Sequence, residues 1–519
     1  MFTQILAVFA VSAGVCLSQA VPVAQKKLNA AEASAQSYKL IKDYKFPGFN
    51  VAQFILPELS HFSYILHSDG KALLVDPGRD LYAYKKFVRK NRLSVIGVYL
   101  THSHADFVAG HTQAVAEFNC PVYINNASKV SFPHQPVYND SEINVGKAVL
   151  KIVTTPGHTP DGTCGYVYGT PQQKTPACIF TGDTLFVGGV GRPDLFGSKV
   201  PASRLAEMLY FSLHNKLMQA GDNAVIFPTH GAGSLCGSKL DNKPFSTIGE
   251  QKKTNKYLKI NKINSFIAKV LRDLPKAPQY FSHNAALNKK GPKVVDWTNL
   301  PNKHILPFES LATMKYYVID VRSHEKFAAG HIPGSIPIPA SKKMATWVGQ
   351  IVPVKFRMVL VVDNAEQANE AAMRLTRIGY KPQYIFYREW VKAGRKINTT
   401  RFVNVDQAVK ELEGERPPLI LDVRTRKEFD AGHIPHSIHI PLSKLADRAV
   451  YLDPLKPAIS VCRSGYRGGI AMGLLARYGF KKIAALKGGF AAWKSAGNPV
   501  DGKPQQTQDI VNKQQSGNP

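Results

Sequence analysis

The sequence predicts a multidomain α/β protein, and three observations lead there. Over residues 38–290, apolar strand-like runs repeatedly end in histidine, aspartate or glycine. A whole-domain duplication follows at a fixed offset. Within each duplicate, short Val/Ile/Leu runs alternate with helical stretches, the pattern of a parallel sheet with crossover helices. The 519 residues, 44% of them apolar, suffice for several buried cores, and the absence of long low-complexity tracts excludes wholesale disorder. Six cysteines over that length are too few for a disulfide framework, so the fold must rest on packing.

The N-terminal stretch differs from the rest. Met1 to Ala20 carries no charged side chain, Ile5 to Leu17 is apolar, and Ser18-Gln19-Ala20 offers small residues where a signal peptidase reads. Residues 1–20 are therefore expected to be a secretory signal, giving an exported, periplasmic or secreted protein. Export conflicts with a free reactive thiol, because such compartments oxidise cysteine. No later run approaches the ~20 apolar residues of a membrane span. The net charge of +29 comes from basic residues scattered along the chain. With no basic helix interleaved with aromatics and no zinc-finger spacing, the excess reads as a generally basic proteome or a solvated lysine-rich surface, with attraction of anionic small molecules or an anionic cell surface as the alternative, and not as nucleic-acid binding.

From 38 to 290 the expectation is one β-rich domain. Asp69-Gly70 between two apolar runs marks a hairpin, and Ile248 to Leu274 reads as an amphipathic helix closing the domain. Four strands run into chemistry-bearing turns: Thr101-His102-Ser103-His104-Ala105-Asp106, Thr155-Pro156-Gly157-His158, Thr181-Gly182-Asp183 and Thr229-His230-Gly231. If those strands share a sheet, their ends converge on one rim, and imidazoles with carboxylates there suit zinc, iron or manganese.

These turns, in this order, resemble the metallo-β-lactamase superfamily, which implies an αββα sandwich. Two-metal members carry a further histidine directly after the aspartate; Phe107 stands there, which disfavours a binuclear hydrolase. The resemblance is to the persulfide dioxygenase (sulfur dioxygenase) branch, and it implies one Fe(II) per chain on His102, His158 and Asp183. His104, Asp106 and His230 are then groups that orient water, substrate or ligands, or alternative ligands. Arg192, in Gly191-Arg192-Pro193-Asp194, either holds a substrate carboxylate or pins its loop. Cys236, at the end of His230-Gly231-Ala232-Gly233-Ser234-Leu235-Cys236, is either a sulfur relay at the metal rim or a buried structural thiol. His111 reads as an ordinary helix residue, and Cys120, Cys164 and Cys178 as packing.

The duplication pairs Ile319-Asp320-Val321-Arg322 with Leu421-Asp422-Val423-Arg424, and Gly330-His331-Ile332-Pro333 with Gly432-His433-Ile434-Pro435, at a constant offset of 102 residues. In the second copy, Val461 runs into Cys462-Arg463-Ser464-Gly465-Tyr466-Arg467 and then a helix. Backbone N–H groups, a helix N-terminus and two guanidiniums around a sulfur favour thiolate and stabilise a persulfide or an anion. This copy resembles a rhodanese sulfurtransferase, with Cys462, Arg463 and Arg467 as its catalytic set. The first copy has Asp363-Asn364-Ala365-Glu366-Gln367 at that place and is expected to be scaffolding. The expected organisation is a signal at 1–20, the sandwich at 38–290, rhodanese-like domains with parallel sheets at 300–396 and 402–500, and a polar disordered tail at 501–519.

Together these readings describe an enzyme of sulfide metabolism or detoxification. It would oxidise low-molecular-weight persulfides such as glutathione persulfide with O2 to sulfite, and handle thiosulfate through Cys462. Its partners are small thiols, persulfides, O2 and sulfite or thiosulfate, with a homo-oligomer also open. Two alternatives stand: a zinc thioester hydrolase of the glyoxalase II type, and a non-catalytic sulfane-sulfur carrier or sensor.

Overall fold

The structure, a computed structural model, describes residues 38–502 except 171, 197–198, 238–239, 273, 275–276, 301, 304–310 and 312–315. The signal expected at 1–20 and nearly all of the tail lie outside the described residues. Among the described residues, no helix is long and apolar enough to cross a membrane.

The N-terminal unit is a sandwich of two sheets. One holds seven strands in spatial order β1 (Lys39–Phe46), β2 (Phe49–Leu56), β3 (His61–Ser68), β4 (Lys71–Val75), β5 (Ser94–Leu100), β6 (Val122–Asn125) and β7 (Gln135–Val137). It is antiparallel up to β4 and parallel from there on. At the predicted hairpin, Ser68 pairs with Lys71, and Asp69 and Gly70 both take positive φ (48° and 72°), as a two-residue type I′ turn requires.

The other sheet uses β8 (Glu142–Val145), β9 (Ala148–Thr154), β10 (Thr163–Tyr168), β11 (Cys178–Gly182), β14 (Val225–Pro228) and β15 (Ser246–Thr247), in the order β15-β14-β11-β10-β9-β8. Between β11 and β14, β12 (Leu185–Phe186) and β13 (Gly189–Val190) form a small ribbon. Val51, Tyr64, Leu66, Leu150, Phe180 and Phe227 fill the space between the two sheets. Helices cover both outer faces: Tyr82–Lys90 and His111–Phe118 on the first, Ala202–Asn215 and Ile263–Arg272 on the second. The layers are therefore α, β, β, α.

Two sequence expectations need correction. The strands leading to the four turns do not share one sheet: β5 lies in the first, β9, β11 and β14 in the second. Convergence arises because the edges of the two layers meet. Likewise, residues 248–274 are two helices, Ile248–Thr254 and Ile263–Arg272. The break falls at Asn255, whose buried amide donates to Phe186 O and Gly189 O while its carbonyl oxygen accepts from Tyr257 N. An asparagine committed to the β12–β13 ribbon cannot continue a helix past it.

The duplicated units each hold a five-stranded parallel sheet. The first is ordered β16 (Asn302–Lys303), β20 (Gln383–Phe386), β19 (Arg357–Val362), β17 (Tyr316–Asp320), β18 (Ile336–Pro337). The second repeats that order as β21 (Arg401–Val403), β25 (Ile483–Leu486), β24 (Ala458–Val461), β22 (Leu419–Asp422), β23 (Ile438–His439). The shared Asp-Val-Arg motif is a structural latch in both. Asp320 accepts from Arg322, which also donates to Gly330 O; Asp422, Arg424 and Gly432 O repeat the arrangement. One apolar cluster continues from Leu81, Tyr84 and Phe107 through Tyr280 and Phe281 to Leu375 of the first repeat and Leu474 of the second.

Candidate metal centre

Each predicted turn begins where a buried strand runs out. β5 delivers His102, β9 leads to His158, β11 to Asp183 and β14 to His230, and all four side chains are buried. The ligand atoms of His102, His158 and Asp183 lie within 4.8 Å of one another. His158 Nε2 stands 3.2 Å and His102 Nε2 3.9 Å from Asp183 Oδ2. Asp106, His230 and Cys236 make a second group of the same compactness. The groups adjoin, since His230 Nε2 is 3.2 Å from Asp106 Oδ2 and 3.7 Å from Asp183 Oδ1.

The surroundings fix which ring nitrogens face inward. His158 Nδ1 is 2.8 Å from Arg192 O and must carry the proton, which leaves Nε2 as a lone pair. Thr101 Oγ1 gives its hydrogen to Asp76 and stands 3.0 Å from His102 Nδ1, so His102 also presents a bare Nε2. Burial, then neighbouring imidazoles, hold His102 well below the ordinary histidine range; burial also lowers His158. Both are neutral, as metal ligation demands. His230 and Asp106 behave oppositely. Burial opposes their charges, but each stabilises the other: His230 is lifted to about 9 and Asp106 is held well below the usual carboxylate range.

Asp183 Oδ1 and Oδ2, Asp106 Oδ1 and His102 Nε2 are buried without a hydrogen-bond partner. Buried acceptors left bare cost free energy, and a cation is what this donor set would satisfy. The residues fit a metal.

Other predicted residues fall as follows. His104 belongs to neither compact group: its Nε2 meets Asp76 Oδ1 at 3.0 Å, and its ring packs beside His102 with centroids 4.2 Å apart. Phe107 lies buried against His61 and His104, at 3.9 and 4.6 Å between centroids. Arg192 is fully buried and holds Asp194 through Nε and Nη2 (2.7 and 2.8 Å) and Leu235 O through Nη1 (3.0 Å). These contacts are those of the loop-pinning alternative. Cys236 is buried, and burial followed by the charges of Asp106 and Asp183 pushes its thiol well above the ordinary range. Although Phe107 stands where two-metal members carry a histidine, Cys236 gives Asp106 and His230 a third companion. His111, tilted against the Phe132 ring, is pushed down to about 3 by burial.

Sequence reasoning passed over Asp76, His61, Asp161 and Asn288. Asp76 accepts from Thr101 N and Oγ1 at 2.8 Å each. It ends strand β4 in Val75-Asp76-Pro77-Gly78, the same strand-to-turn signal as the four turns that were recognised. Asp161 anchors Ser103 through N and Oγ (3.0 and 2.8 Å). Buried His61 joins Tyr38 through Nδ1 at 2.7 Å and leaves Nε2 without a partner.

In the second repeat, Cys462 is buried at the end of β24, and Gly465 N donates to its Sγ at 3.1 Å. Phe490 N and Ala491 N hold Cys462 O and Arg463 O. Gly489, at φ +61°, lies so close that a Cβ would stand 2.3 Å from Cys462 O. Of the two predicted arginines, Arg463 is exposed, while Arg467 is paired in fork geometry with Glu428 (2.9 and 2.6 Å). Arg467 therefore braces the loop through Glu428 while its charge also acts on the Cys462 sulfur. In the first repeat, Gln367 ties down the segment after β19, accepting from Asp363 N and donating to Val321 O.

Residues 56–230 match the metallo-beta-lactamase superfamily, and residues 308–393 and 404–496 each match the rhodanese-like domain. A solved metallo-beta-lactamase from Staphylococcus aureus subsp. aureus COL is similar at 28% identity with a TM-score of 0.59, covering 65% of this chain and 99% of that one. Probable metallo-hydrolase YqgX of Bacillus subtilis (strain 168) is 27% identical over 203 residues, 35% of this chain and 90% of its own length. A hydroxyacylglutathione hydrolase of Francisella tularensis subsp. novicida (strain U112) is 32% identical over 140 residues, 27% of this chain and 52% of that relative. With the sandwich, the His/Asp cluster and the two parallel sheets already in view, the chain is a metallo-beta-lactamase superfamily domain followed by two rhodanese-like domains.

Proposed function

We propose that this protein is a persulfide dioxygenase joined to a sulfurtransferase. The observation that carries the reading is the compact buried group of His102, His158 and Asp183, in which His102 Nε2 and both Asp183 oxygens lack a hydrogen-bond partner, with a phenyl ring at Phe107 where a second metal would need an imidazole. Those three residues would hold one Fe(II), which when bound supplies open positions for O2 and a thiolate and a route for electrons from sulfur to oxygen. Arg192 O and Thr101 Oγ1 keep both imidazoles in the ligating tautomer. His230, beside Asp106, holds a proton at the edge of the site and offers positive charge to an anionic substrate. The balanced reaction takes one persulfide, one O2 and one water to one thiol, one sulfite and two protons. At the other end, the Cys462 thiolate takes the sulfane sulfur of thiosulfate, forming Cys462-persulfide and releasing sulfite; the reverse direction makes thiosulfate.

Elemental analysis after anaerobic purification tests the metal, with one iron per chain expected. Asp183→Ala should lose oxygen uptake with glutathione persulfide by about a thousandfold or more, since a ligand is gone. Cys462→Ser should abolish transfer from thiosulfate and leave that uptake largely intact. Flat oxygen traces from iron-loaded wild-type protein would sink the proposal. A second reading, a zinc thioester hydrolase, is favoured by one observation: Cys236 completes a further ligand group with Asp106 and His230. It expects two zincs per chain and turnover of S-lactoylglutathione instead.

A further inference from the structure

The turn from Thr101 to Gly110 carries His102, His104 and Asp106, and its two halves are held from different places. The first half is anchored inside its own domain by Asp76, Asp161 and Thr163. The second half is held by the helix that ends this domain and by the first repeat. Asn288, buried on the helix Tyr280–Lys290, donates Nδ2 to His104 O (2.9 Å) and Phe107 O (2.8 Å), and its Oδ1 accepts from Ala109 N (2.9 Å). Nearly all the bonding capacity of that amide goes to one loop.

Val108 N donates at 2.8 Å to Arg377 O, the last residue of the helix Ala365–Arg377 in the cysteine-less repeat. A helix leaves its final carbonyls without internal partners. Here Arg377 O takes Val108 N–H across a domain boundary, and Thr376 O, which also accepts from Gly379 N, takes Arg79 Nη1 at 3.3 Å. The Arg377 side chain fixes the same joint. It is 2% exposed, pairs with Asp80 at 2.8 Å, and reaches Glu58 together with Arg374. Asp80 follows the Asp76 turn, and Glu58 precedes His61, so the pairs grip both flanks of the centre.

We propose that the rhodanese-like repeat without a cysteine works for the metal centre: together with the helix Tyr280–Lys290 it forms the outer half of the clamp on the ligand loop, with Arg377 from the repeat and Asn288 from that helix as positioning residues. Its helix starts at Asn364, where the other copy keeps its sulfur loop, and ends against Val108. Released from these two contacts, Ala105–Gly110 would expose unpaired backbone groups and let Asp106 drift from His230. This reading rests on the metal site and is independent of iron, O2 or persulfide.

The test uses the full chain, stripped of metal and titrated with Co(II), with visible absorption reporting the ligand field. Asn288→Ala and Arg377→Lys should each weaken Co(II) binding about tenfold to a hundredfold and shift the spectrum, as loss of groups that orient a metal site does. Thiosulfate turnover at Cys462 should stay within about twofold of wild type, because the hydrogen bonds of Asn288 and the ion pairs of Arg377 go to the metal-bearing domain. Unchanged Co(II) affinity and spectrum in both folded variants would overturn the clamp. Hydrogen exchange on the unaltered chain decides the matter even if both variants unfold. The Val108 and Ala109 amides should be protected as strongly as the helix 365–377, and rapid exchange there would equally refute it. A chain that consumes no oxygen with persulfide would leave both measurements valid.

Discussion

Asp76 organises more of the metal centre than any residue beside a ligand. Its two oxygens receive Thr101 N, Thr101 Oγ1 and His104 Nε2, so one carboxylate sets the loop backbone, the His102 tautomer and the His104 ring. Asp76→Asn replaces an acceptor with an N–H donor in a pocket of donors. We expect metal affinity to fall about tenfold to a hundredfold with the fold retained, measurable by chelator competition; unchanged affinity would mean that the loop is held without it. Glu428 plays a comparable part beneath the Cys462 loop. Burial opposes its ionisation, but Arg467 draws its carboxyl down to about 2. A depressed carboxylate contributes stability above its unfolded value of roughly 4.3, and that contribution is lost as pH falls through the folded value. Melting of the second repeat should therefore be insensitive to this pair from neutral pH to about 5, then decline between about 4.5 and 2. Glu428→Gln should remove that acid limb; an unaltered limb would assign it to other groups. At this scale the sequence is legible where a residue's type and its strand-end position coincide, as for His102, His158, Asp183 and His230. It is silent where the partner lies far along the chain, as Ala109 does from Asn288 and Asp80 from Arg377.

The element that sets the centre's width is the β12–β13 ribbon with the turn after it. Gly191 passes so close to the β11 turn that a Cβ would stand 1.9 Å from Asp183 O and 2.9 Å from His158 Cβ. A methyl group there cannot be accommodated without moving one ligand or both. Gly191→Ala should cost about 1–3 kcal/mol in stability by overpacking and should lower metal content in parallel. Calorimetry with elemental analysis would show it, and a variant that melts and loads metal normally would disprove the contact. Strand order in the repeats was implied by the duplicated motif, because equal spacing within one sequence plan yields equal topology. The distribution of strands over two sheets was not implied: a buried strand reads the same in either layer, and only the Tyr64, Phe180 and Phe227 packing between layers decides.

Over the whole molecule, the family resemblance and the 102-residue offset made the division into units legible, and the structure adds how tightly they are joined. Buried pairing of Arg377 with Glu58 and Asp80 and the apolar cluster running from Leu81 through Phe281 to Leu375 and Leu474 make the seams parts of the core. Hydrophobic pattern alone could not reveal this, since a residue facing a neighbouring unit and one facing its own sheet carry the same side chain. Cloning practice inherits the result. A gene fragment trimmed to the lactamase-like region would leave the host cell with a raw, water-averse scar around Phe107 and two stranded carboxylates. Whatever such a stump did in a tube would describe the surgery more than the enzyme.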